Sequence, residues 1–144
     1  MYIPLLKSHS GLRWLLLASF VLTLVYLFRM SDAAGNQKKI KFLALTTLII
    51  SHIQILLGLT LYFISPKVVF VAGAMKDSVQ RFFLVEHISL MLIAVILITI
   101  GYARWKRTNR LEANRKLFWY YFISFLLILL SIPWPFRIAG SSWF

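Results

Sequence analysis

Four apolar runs, each about as long as a bilayer is thick, constrain this chain more than any other feature. A hydrocarbon core of about 30 Å needs roughly 20 apolar residues at about 1.5 Å of rise each. The runs fall at about 8–28, 41–64, 82–104 and 116–132, and each ends at charges, proline or a polar connection. A segment inside lipid must satisfy its own backbone polar groups, so runs of this length are helices. The sequence predicts an all-α integral membrane protein: a four-transmembrane-helix bundle, up-down-up-down, with residues 1–144 as one domain. A 60% hydrophobic content and a mean hydropathy of +0.81 agree, because ordinary soluble domains are far more polar.

The first run exceeds the apolar core of a signal peptide and opens with polar residues at helical spacing, so it is read as a mature helix. Pro4 suits a first helical turn, and Pro66, Pro133 and Pro135 suit helix ends. There are no cysteines, which excludes disulfides, thiolate metal sites, iron–sulfur clusters and covalent c-type haem.

The net charge of +12 reflects orientation rather than a nucleic-acid surface, since the basic residues sit in short segments flanking the apolar runs. Ten of them, Arg29, Lys38, Lys39, Lys41, Arg104, Lys106, Arg107, Arg110, Arg115 and Lys116, fall in the connections after spans one and three. The other six, Lys7, Arg13, Lys67, Lys76, Arg81 and Arg137, belong to the opposite side. The positive-inside rule then places both termini outside the cytoplasm of a bacterial-type inner membrane. Trp105, Trp119, Tyr120 and Tyr121 mark the inner boundary, and Trp134 and Trp143 the outer one.

Ionisable groups inside a span are costly and mark either a structural network or a functional site. Helix one carries His9 and Arg13 four residues apart, on one face; helix two carries His52 and Gln54, then Gly58 and Tyr62; helix three opens with Asp77, Arg81, Glu86 and His87. Measured from the inner boundary by helical rise, His9 lies at roughly 30 Å, His87 at roughly 26 Å and His52 at roughly 17 Å. Arg13, at roughly 24 Å, and Glu86, at roughly 27 Å, are close enough in height to form an ion pair.

Three histidines on three helices point to ligation. Neutral imidazoles projecting into a bundle hold haem b, whose apolar faces suit Leu, Ile and Phe surfaces and whose propionates seek cations such as Lys7, Arg13 and Arg81. Three histidines allow one bis-histidine haem, and the heights favour His9 with His87 over a pair that includes His52. Gly58 either makes room for a macrocycle or permits close helix packing. Two other readings stand beside this one. His9, His52 and His87 with Glu86 could hold a divalent metal, or His9, Arg13, Glu86 and His87 could form a hydrogen-bonded network that fixes helix register.

The stretches Ser8-His9-Ser10 through Arg13-Trp14, His52-Ile53-Gln54-Ile55-Leu56-Leu57-Gly58 to Ser65-Pro66, and Met75-Lys76-Asp77 leading to Glu86-His87 resemble the small bacterial four-helix membrane proteins labelled cytochrome b-like. The resemblance covers the three histidine-bearing spans. It implies non-covalent haem b and electron transfer with quinones or a respiratory partner. Diheme membrane cytochromes place two histidines on each of two helices, a pattern this chain lacks. No nucleophile–base arrangement, phosphate loop or hydrolase motif is visible, so the expectation is a redox or electron-transfer subunit rather than an autonomous enzyme. A non-catalytic subunit of a larger membrane complex, a homo-oligomer, and a quinone-, metal- or proton-handling protein are the alternatives.

Overall fold

Long helices form because nearly every residue in the four runs is apolar, and three of them begin at a capping side chain or a tolerated proline. The computed structural model describes residues 1–30, 36–71, 73–108 and 111–138. Helix α1 spans Tyr2–Arg29, with Pro4 in its first turn where no N–H is required. Helix α2 spans Gln37–Ile64; the Asn36 side chain caps it by accepting from the backbone N–H groups of Lys38 and Lys39. Ser65 ends this helix just before Pro66. The third span is composite: α3 at Ser78–Arg81, capped by Asp77, a π-helical turn at Phe82–Glu86, and α4 at His87–Lys106. Helix α5 spans Leu111–Ser131 and stops before Pro133.

The four spanning helices are each long and apolar enough to cross a bilayer, and the chain is a multi-pass, all-α membrane protein. All four start several residues before the apolar runs do, because Lys and Arg extend a helix well and carry their charges out to water. Helix α1 packs on α2 and α5, and α4 packs on α5 and α2, so the order around the bundle is α1, α2, α4, α5. Every neighbouring pair is antiparallel, as up-down-up-down threading requires. Large apolar side chains, among them Leu15, Leu22, Phe28, Leu56, Phe63 and Leu130, are exposed on the bundle's outside, where the contact is lipid.

The half of the bundle nearest the α1–α2 and α4–α5 connections is tightly packed. Phe20 meets Tyr121 and Phe125, and Leu27, Ile40, Ile98 and Leu117 fill the space between. Three polar contacts join helices there: Thr23 with Thr47 at 2.9 Å, the Trp105 indole N–H with Asn114 Oδ1 at 2.7 Å, and the Tyr121 hydroxyl with the Ala44 carbonyl at 2.9 Å. Gly101 lets α4 and α5 approach so closely that a Cβ on it would lie 2.5 Å from Tyr120 Cβ. The opposite half is looser and contains the cavity described next. Trp143, expected on the outer aromatic belt, lies outside the described residues, as do parts of the α1–α2 and α4–α5 connections.

Candidate functional site

Helix α2 turns its smallest and most polar residues inward at alternating steps of three and four: Ala44, Thr47, Ser51, Gln54 and Gly58. Toward the end of the bundle that holds residue 1, α1 and α4 splay across this seam and leave a cavity of about 160 Å³. Leu6, Ile55, Leu59, Ile88, Met91 and Ile132 give it apolar walls, while His9, Arg13, Gln54, Lys67 and His87 supply polar groups. No carboxylate is among the described residues that line it.

His9 and His87 meet in this cavity, their ring centroids 6.4 Å apart and their planes inclined by 73°. Each ring is held. His87 Nδ1 is 2.6 Å from the Ser131 carbonyl on α5; a carbonyl only accepts, so Nδ1 carries the proton and Nε2 keeps a lone pair. The His9 ring lies over Gly58, where a Cβ would come within 3.1 Å of Cε1. Gln54 donates from Nε2 to the His9 backbone carbonyl at 2.8 Å, tying α2 to α1 at that height. Two buried side-chain atoms facing this region, His9 Nδ1 and Gln54 Oε1, have no hydrogen-bond partner among the described residues. Arg13 is buried one turn further along α1, its guanidinium 5.3 Å from the Trp14 ring centre.

Three expectations need correction. His52 does not join the other histidines. It is exposed on the outer face of α2, with Nδ1 donating to the Leu48 carbonyl at 2.8 Å. Consecutive helical residues are about 100° apart, so once Ser51 and Gln54 face inward, His52 must face out. Glu86 does not pair with Arg13. It binds Arg81, Nε to Oε1 at 3.0 Å, with both side chains part-exposed. The wide π-turn brings positions five apart onto one face, and that face points away from the cavity. Arg81 binds Glu86 beside a shallow cleft shared with Phe82 and Arg137, and the basic side chains among the described residues that line the cavity are Arg13 and Lys67. Lys7 is exposed and does not line the cavity.

These corrections bear on the competing ligand sets. Among the described residues no three His, Cys, Asp or Glu side chains come together, whereas a zinc centre takes at least three protein ligands. What remains is a pair of imidazoles. The two rings stand 6.4 Å apart in one cavity, and the His87 Nδ1–carbonyl bond is the support that ligating histidines commonly have.

Two features were missed in the sequence. The π-turn preceding His87 has no compositional signal, since Phe-Phe-Leu-Val-Glu reads as ordinary helix. Lys67 was legible as a charge flanking Pro66, but nothing in the sequence folds that segment over the cavity. No family model, curated protein or solved structure matches this chain.

Proposed function

We propose that this protein is a membrane electron-transfer or redox subunit that holds one non-covalent haem b between His9 and His87. The observation that carries the reading is their juxtaposition: two imidazoles from different helices, 6.4 Å apart, face one largely apolar cavity, and one is fixed with its Nε2 lone pair free. The resemblance to cytochrome b-like proteins, drawn from the His-bearing stretches, supports the same reading. So does the pairing of Gly58 with His9, which keeps that ring against α2 and the space beside it open.

Haem b, when bound, exchanges single electrons at its iron. The chain's own residues would do the rest. His9 and His87 would hold the group through their imidazole nitrogens, while Ser131 and Gly58 set the two ring orientations. The leucine, isoleucine and methionine walls exclude water, and Arg13 and Lys67 offer cations to the propionates. The setting that agrees with the charge distribution is a bacterial-type inner membrane with both termini outside the cytoplasm. A quinone or a respiratory membrane protein would be the corresponding electron partner.

A second reading draws on the same contacts. Gln54 with the His9 carbonyl and His87 with the Ser131 carbonyl already join α2 to α1 and α4 to α5, as a register-fixing network in a non-catalytic subunit would. The reduced-minus-oxidised absorption spectrum of purified protein separates the two. A Soret band with sharp reduced bands is expected, with low-spin character lost in His9→Ala and His87→Ala and kept in His52→Gln. A colourless, folded preparation from haem-replete cells sinks the haem reading and leaves the network.

A further inference from the structure

We infer that the π-helical turn Phe82–Glu86 is a positioning device for His87, and that Tyr62 on α2 is the positioning residue that holds it. The inference takes its spectroscopic arm from the haem reading above, while its structural arm stands on the chain alone.

A π-turn is rarer and less stable than α-helix, and it persists where surrounding contacts hold it. Here the His87 backbone N–H reaches back five residues to the Phe82 carbonyl instead of four to Phe83. Three contacts brace this geometry. The Tyr62 hydroxyl donates to the Leu84 carbonyl, in the middle of the turn, at 3.0 Å. Arg81 and Glu86 close an ion pair from one end of the turn to the other. Phe82 is packed to near-complete burial, and the Arg137 guanidinium lies 5.4 Å from its ring centre. Tyr62 is itself fixed edge-on by Phe63 and Phe70, at 5.5 and 5.4 Å, so its hydroxyl is offered from a rigid ring.

The turn delivers two things to His87. One extra residue offsets the chain before it by about 100° from plain α-helical register, so Arg81 and Glu86, five apart, share a face outside the cavity while His87 enters it. The same offset brings two consecutive aromatic rings against one imidazole, Phe82 at 5.9 Å and Phe83 at 6.5 Å from the His87 centroid. With Ser131 holding Nδ1, the ring is held by two tilted aromatic contacts and by one of its nitrogens. Tyr62 touches the backbone three residues from His87 and also lines the cavity, so it couples α2, which carries Gly58 and hence the His9 seat, to the His87 seat.

The test removes only the hydroxyl. In Tyr62→Phe, haem should still bind with low-spin character, but it should transfer to an apoglobin scavenger about tenfold faster than in the wild type, the usual size of a lost supporting contact at a metal-ligating histidine. The g values of the oxidised protein should also move, because they report the relative orientation of the two imidazoles. Tyr120→Phe, which removes a hydroxyl at the other end of the bundle, should change neither readout. A haem-free readout runs in parallel on ¹⁵N-histidine-labelled protein in micelles. The Nδ1-protonated signal of His87 should broaden or shift in Tyr62→Phe while that of His52 stays fixed, and Glu86→Gln should move it in the same direction. Unchanged haem transfer, g values and His87 signal overturn the inference and leave the haem reading intact. A wild type without haem whose His87 signal responds to Tyr62→Phe overturns ligation and keeps the positioning role.

Discussion

Gly58 and His9 set the tightest tolerance at the cavity wall. With a Cβ 3.1 Å from His9 Cε1, Gly58→Ala requires the ring to yield by a few tenths of an ångström, whereas the branched side chain of Gly58→Val must expel it. The expected outcome is a retained, slightly shifted low-spin spectrum for Ala and loss of haem for Val, read from absorbance and the haem-to-protein ratio. Arg81 and Glu86 are a different case, because both are part-exposed at the end of the bundle. Their coupling in a double-mutant cycle with Arg81→Gln and Glu86→Gln should be about 0.2–1 kcal/mol, as for screened pairs. The corresponding Arg13–Glu86 cycle should be additive, and a clear coupling there would contradict the observed pairing. His52 presents a polar ring on the lipid-facing side of α2, where no cavity contact depends on it.

Helices α4 and α5 are held together by a close approach at their inner ends. Gly101 sits against Tyr120 with no room for even one carbon, because the contact is with the Tyr120 Cβ rather than with a movable side-chain tip. Gly101→Ala should therefore destabilise the bundle by about 1–3 kcal/mol in a detergent unfolding titration, the usual range for overpacking. Gly58→Ala should cost less, since its nearest neighbour is the rotatable His9 ring. Wild-type stability in Gly101→Ala would mean that the α4–α5 spacing is wider than described. Four hydroxyl residues within the spans share one solution: Ser51, Thr60, Thr99 and Ser124 each donate to the carbonyl four residues back, which satisfies the donor inside lipid without a partner helix.

Across the whole molecule, one end carries most of the basic residues and a packed aromatic core, while the other carries the cavity and fewer charges. Cysteines placed at Lys38 and Met75, on connections at opposite ends, should label from opposite sides of intact cells, with Lys38 inside; labelling of Lys38 from outside reverses the orientation. Span number, threading and the heights of polar groups were legible in the residues, because apolar length against bilayer thickness and a fixed rise per residue determine all three. The heights ranked His9 with His87 as neighbours, and the folded bundle brings those rings together. Azimuth was not legible. A helix in lipid is apolar over most of its surface, so apart from the small and polar stripe of α2 little in the sequence tells which face turns inward; height alone paired Arg13 with Glu86 and set His52 deeper than the other two histidines. Packing decided that His52 faces out and Glu86 turns to Arg81. It also decided that an apolar stretch of helix winds as a π-turn, because the support for that turn comes from Tyr62, some twenty residues away in sequence and adjacent only once the helices have met.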